Sequence, residues 1–113
     1  MSALQQPSNR EIQPADLLER VRSGAVRMDQ IIDVREEGEW EYYRLEGSRH
    51  IPMNSIPEHL PELDAGQEWF LMCGHGVRSL YVLDYMRKQG YHHLLNVTGG
   101  ISAAASELGF SYD

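Results

Sequence analysis

The sequence predicts an α/β fold, an open, mostly parallel sheet with helices on both faces, and three observations lead there. Short apolar runs of strand length alternate with segments of helical periodicity along the chain. Two of the runs, Gln30-Ile31-Ile32-Asp33-Val34 and Trp69-Phe70-Leu71-Met72-Cys73, are apolar on successive residues, as in strands buried on both faces of a parallel sheet. Glycines such as Gly24 and Gly90 stand where the helical segments should stop.

In chain order, Glu11–Gln13 suits a short edge strand, and Pro14 opens a helix through Arg22 in which Leu17, Leu18 and Val21 share a face. The Gln30–Val34 strand follows, then a polar, acidic stretch from Glu36 to Glu41 with one or two helical turns. Gly47 and Pro52 bracket Ser48–Ile51, long enough for another short strand. The spacing of Ile56, Leu60 and Leu63 predicts a short helix over Ser55–Leu63 despite its prolines. After the strand Trp69–Cys73, Gly74-His75-Gly76 marks a turn, and a helix runs from Arg78 to Gln89 with Val82, Leu83 and Met86 on one face and Arg87 and Lys88 in its last turn. Leu94–Val97 is the last strand, separated by Gly99-Gly100 from an Ala-rich helix. Ligands of such sheets gather beyond the carboxyl ends of the strands, and Cys73 stands at one of those ends.

The chain's 113 residues suffice for one core, so a single domain over 11–113 is expected, with the first residues, Met1–Arg10, loose. Hydrophobic residues at 42% and charged residues at 24% are those of a globular domain. The start has no apolar stretch that could act as a signal peptide or anchor, which predicts a cytoplasmic protein. A formal net charge of −7 argues against nucleic-acid binding, because the general field repels phosphate. Any anion must meet a local site. One cysteine excludes an internal disulfide and every zinc site that needs two thiolates. His50, His59, His75, His92 and His93 show no i, i+4 pairing, so neither a metal nor another cofactor is expected.

The chemistry concentrates in Cys73-Gly74-His75-Gly76-Val77-Arg78-Ser79, between a buried strand and a helix. Gly74 and Gly76 are expected to let the backbone curl with positive φ, turning successive amides towards one centre, where the helix N-terminus adds its own unpaired N–H groups. A thiol held there should ionise more readily than a free cysteine, and a persulfide anion would be held by the same donors. Taken alone, Cys73 would read as an inert core cysteine. The glycine turn, the arginine and the following helix reverse that reading. His75 is open between tuning charge or touching substrate and being a solvated loop histidine.

With these residues in hand, the chain resembles the rhodanese family, whose active loop reads Cys-x-x-Gly-x-Arg-Ser between a strand and a helix. Ile32-Asp33-Val34-Arg35-Glu36 is similar to the family's early Asp-Val-Arg motif, Gly47-Ser48-Arg49-His50-Ile51-Pro52 to its middle Gly-Ala-x-Asn-Ile-Pro, and Asn96-Val97-Thr98-Gly99-Gly100-Ile101 to its late Asn-Leu-x-Gly-Gly-Ile. The resemblance implies a five-stranded parallel sheet, sulfur transfer through a Cys73 persulfide, and an anion cradle made by residues 74 to 79. It also implies structural roles for Asp33 and Arg35. Donors and acceptors would be small sulfur compounds (thiosulfate, cyanide, thiols) or a sulfur-relay protein. Two departures, Arg44-Leu45-Glu46 in place of His-Ile-Pro and Ala104 in place of tryptophan, bear on partner surface and substrate choice. The Arg44-Leu45-x-Gly-Ser variant is similar to rhodanese domains that accompany adenylating enzymes of thiamine and molybdenum-cofactor sulfur transfer.

Two other functions compete. Phosphatases of the cell-cycle type share this fold and a cysteine–arginine loop, but that loop has five residues between the two, and here four separate Cys73 from Arg78. A non-turnover persulfide carrier or sulfur-sensing module would keep the fold and the cysteine without an enzyme's cycle.

Overall fold

The computed structural model describes residues 10–113. The expectation for Met1–Arg10 lies outside that range except at Arg10, whose guanidinium pairs with Asp84 at 2.7 Å. Five parallel strands form one sheet: β1 (Glu11–Ile12), β2 (Ile31–Asp33), β3 (Arg49–His50), β4 (Trp69–Met72) and β5 (Leu94–Val97), in the order β1-β5-β4-β2-β3. The helices are α1 (Pro14–Arg22), α2 (Glu37–Tyr42), α3 (Ile56–His59), α4 (Arg78–Lys88) and α5 (Gly100–Glu107). The expected fold class is the observed one.

The doubly apolar runs explain the layering. In β2 and β4, Ile31, Phe70 and Met72 face Leu17, Ile101 and Ala104 of α1 and α5. Ile32, Trp69 and Leu71 face Ile56, Val82, Leu83 and Met86 of α3 and α4. Each fully buried Ile, Leu or Phe contributes about 1.5–3 kcal/mol, so the two central strands hold both layers at once. The alternation also puts Cys73, just past β4, on the α4 side with Val34, Leu71 and Val82. Among the described residues, no helix is long and apolar enough to cross a membrane.

Element boundaries differ from expectation by a residue or two, and one element differs in kind. Ser55–Leu63 is a chain of short turns: 3₁₀ at Met53–Ser55, α3, then 3₁₀ at Leu60–Glu62. Pro57 is accommodated in the first turn of α3, but Pro61 supplies no amide and would crowd the carbonyl four residues back, so a continuous helix cannot form. Leu18 and Val21 are only partly covered, leaving Leu17 as the fully buried anchor of α1. Ala104 is buried in the layer where α1 meets α5, a place where a tryptophan would force the two helices apart.

Candidate active site

Cys73 follows β4 at the carboxyl edge of the sheet, and its side chain is buried. The loop turns back over it because its carbonyls are drawn the other way. The amides of Ile101 and Ser102, at the start of α5, donate to the carbonyls of Cys73 (2.8 Å) and Gly74 (3.1 Å). Asn96 Nδ2 donates to the carbonyl of Gly76 at 3.1 Å. With the carbonyls engaged outside, the Gly76 amide is left facing the sulfur, its N 3.2 Å from Cys73 Sγ, and the Ser79 hydroxyl joins it with Oγ at 3.3 Å.

The glycines serve different ends. Gly76 has φ +97° and turns the loop as expected, whereas Gly74 lies outside the left-handed region and corrects that expectation. Gly74 is needed for space: a Cβ there would stand 2.9 Å from Arg78 Nη2. Gly100 is the tightest position, where a Cβ would fall 2.4 Å from the Cys73 carbonyl oxygen.

Behind the thiol lies a polar relay. Asn96, on buried β5, donates through Nδ2 to the Glu11 carboxylate at 3.1 and 3.2 Å, and Glu11 also accepts from Thr98 Oγ1 at 2.8 Å. This sets Asn96 Oδ1 to accept from Ser79 Oγ at 2.5 Å. The Ser79 hydroxyl has a single proton, so Asn96 and Cys73 compete for it. Burial opposes ionisation of Cys73, but hydrogen bonds from the Ser79 hydroxyl and from the amides of Ser79, Gly76 and His75 outweigh it and hold the thiol below its ordinary pKa.

Arg78 opens α4 and grips Glu39 of α2 with two parallel bonds, Nη1–Oε1 at 2.8 Å and Nη2–Oε2 at 2.9 Å. The hydrogen bond from Arg78 overcomes partial burial and lowers the Glu39 carboxyl to about 2, and the same bond raises Arg78. His75 projects outward, its Nε2 3.1 Å from both carboxylate oxygens of Asp113, which in turn accepts from Ser102 Oγ at 2.8 Å. Val77 is exposed on the rim.

Asp33 and Arg35 lie under the loop layer as a buried ion pair, Nη2–Oδ2 2.8 Å. Arg35 also donates to the carbonyls of Glu39 (3.0 Å) and Tyr43 (2.6 Å) and to the Tyr112 hydroxyl (3.0 Å). Burial disfavours its charge, but the bonds to Asp33 more than offset this and raise its pKa. The pair therefore fixes the segment that carries Glu39.

The structure brings all nine sequence-predicted residues into one region, with Cys73, Gly74, Gly76 and Ser79 closest to the sulfur and His75 and Val77 at its rim. Sequence reasoning missed Glu39, Glu11 and Asn96 as members of the site. Asn96 had a usable signal, since a polar residue in the middle of a buried strand needs a partner. Among the described residues, no cluster of His, Cys, Asp and Glu could hold a metal.

Fold and site define a class of protein: a parallel α/β domain whose lone cysteine sits in an amide-lined loop between a strand end and a helix. The family model described as the rhodanese-like domain matches residues 13–107, and the chain belongs to that family. It is 35% identical to the "Putative sulfurtransferase YtwF" of Bacillus subtilis over 98 residues, which is 87% of this chain and 92% of that protein. It is 32% identical to the "Probable adenylyltransferase/sulfurtransferase MoeZ" of Mycobacterium tuberculosis over 94% of this chain but only 27% of that protein. The crystal structure of a rhodanese-like domain protein from Staphylococcus aureus superposes with a TM-score of 0.77 at 28% identity, covering 84% of this chain and 90% of that one.

Proposed function

We propose that the protein is a cytoplasmic sulfurtransferase in which the Cys73 thiolate takes a sulfane sulfur from a donor such as thiosulfate or a protein persulfide, holds it as a persulfide, and passes it to a thiophilic acceptor. The observation that carries this reading is the ring around Cys73 Sγ, with the Gly76 amide at 3.2 Å and the Ser79 hydroxyl at 3.3 Å, bonds that favour the thiolate over the thiol. Such a ring stabilises the attacking thiolate and equally receives the terminal sulfur anion of the persulfide. The names carried by YtwF and MoeZ support sulfur transfer, and the MoeZ likeness supports a relay protein among the acceptors.

Attack of the thiolate forms the Cys73 S–S bond as the donor's S–S bond breaks, the donor fragment leaving with that electron pair. Cyanide, a thiol or a partner protein then attacks the terminal sulfur, and Cys73 departs as the thiolate the ring already stabilises. With a single cysteine in the chain, no internal thiol can resolve the persulfide as a disulfide. The test is thiosulfate:cyanide turnover by the parent and by Cys73→Ser: activity should vanish in the variant. Turnover by the serine variant at the parent's rate would refute the nucleophile. Neither protein should hydrolyse an aryl phosphate above background.

A further inference from the structure

We propose that Glu39 is a specificity-determining residue: by clasping Arg78 over Gly74 it cancels the positive charge beside the thiol, so that the site takes sulfur from a monoanionic persulfide in preference to the thiosulfate dianion. This rests on the sulfur-transfer reading and names the donor class for the same site.

Arg78 is the one residue from 73 to 79 with a permanent charge. Its guanidinium is spent on both oxygens of Glu39, at 2.8 and 2.9 Å. Glu39 is itself held ready, because its Oε1 also accepts from the Glu36 amide at 3.0 Å. With its carboxyl lowered to about 2, it is ionised throughout the working range. The clasp lies directly on the loop, since a Cβ at Gly74 would come within 2.9 Å of Arg78 Nη2.

Two neighbouring basic groups are engaged elsewhere. Among the described residues around the loop, Arg35 is buried against Asp33, and His75 faces Asp113. An incoming anion therefore meets backbone amides and the Ser79 hydroxyl, with the Arg78 charge already paired.

Charge counting turns this into a preference. When the Cys73 thiolate attacks thiosulfate, the reactants carry three negative charges, conserved as the Cys73 persulfide anion plus departing sulfite dianion. With a persulfide donor R–S–S⁻ the total is two, conserved as the Cys73 persulfide anion plus R–S⁻. Neutral dipoles suit the second case better than the first, because they supply no net positive charge to offset a third negative one.

The experiment compares kcat/KM for thiosulfate and for N-acetylcysteamine persulfide in the parent, Glu39→Gln and Glu39→Asp. Glutamine keeps an acceptor for Arg78 and removes the charge; aspartate keeps the charge on a shorter arm. In Glu39→Gln the thiosulfate value should rise roughly tenfold, mostly through KM, and the persulfide value about threefold or less, while Glu39→Asp keeps the parent's ratio of the two. An unmoved ratio in folded Glu39→Gln, or an equal shift in Glu39→Asp, would overturn the assignment. A measurement free of variants accompanies it: raising salt from low to physiological ionic strength should leave the parent's thiosulfate kcat/KM flat or increase it, and a steep fall would reveal an uncompensated cation and overturn the proposal. If the parent gained no sulfur at Cys73 from either donor, the sulfur-transfer reading itself would fall, an outcome separate from a parent that works normally with an unmoved ratio.

Discussion

Arg35 and Arg78 each grip a carboxylate with two nitrogens, at 2.8 and 2.9 Å in both cases, yet the Asp33–Arg35 pair is sealed from solvent while the Glu39–Arg78 side chains are 34% and 37% exposed. Burial decides what such a pair can do. In the first, loss of either partner strands a charge where water cannot reach it, so the pair acts as a fixed joint between β2, α2 and the C-terminal Tyr112. In the second, solvent screens both partners, little stability is at stake, and the charge balance is felt instead by the neighbouring sulfur.

The largest effect should come from breaking the joint. Arg35→Met leaves Asp33 buried and unpaired and should cost about 3–5 kcal/mol in urea unfolding. A loss under about 1 kcal/mol would show that the pair is not the joint described. Arg78→Ala should cost less than about 1 kcal/mol of stability. It should nonetheless lower kcat/KM for any anionic donor, since Glu39 is then left as an unbalanced negative charge near the thiolate. A drop in melting temperature as large as that of Arg35→Met with an unchanged rate would erase the distinction between the two pairs.

The smallest effect is a shift in pH dependence. Because the Ser79 hydroxyl helps hold the Cys73 thiol below its ordinary pKa, Ser79→Ala should move that pKa upward. The thiolate fraction at neutral pH then falls, and the pH profile of alkylation by iodoacetamide moves to higher pH with little change at its alkaline plateau. A profile that stays in place would mean that Ser79 gives its proton to Asn96 alone.

The same contrast marks what can be read from sequence. The strands are legible because β2 and β4 are apolar on successive residues, a pattern that survives without knowing any partner. The loop is legible because Cys73 to Ser79 are contiguous and carry their own turn and helix start. Ser55–Leu63 misleads, because the spacing of Ile56, Leu60 and Leu63 satisfies helical periodicity while Pro61 removes the amide that a helix needs. Glu39 is hidden for another reason. It sits in an acidic, half-exposed stretch that looks like an ordinary solvated helix, and its partner is 39 residues away. Asp113 and His75, 38 residues apart, and Glu11 and Asn96, 85 apart, are likewise products of the fold. Gly74 shows a subtler limit: the residue type was informative, but the reason is the space Arg78 occupies rather than the backbone turn.

Intact-mass analysis shows whether Cys73 carries sulfur and hands it directly to an outside acceptor. Mixed with a persulfide donor or with excess thiosulfate and then freed of small molecules, the protein should gain the mass of one sulfur atom, located at Cys73. It should keep that mass while acceptors are absent and lose it on addition of cyanide or a thiol. A protein that gains no sulfur, an equal gain in Cys73→Ser, or a disulfide-linked dimer that rises and falls with turnover would rule out direct handoff from Cys73.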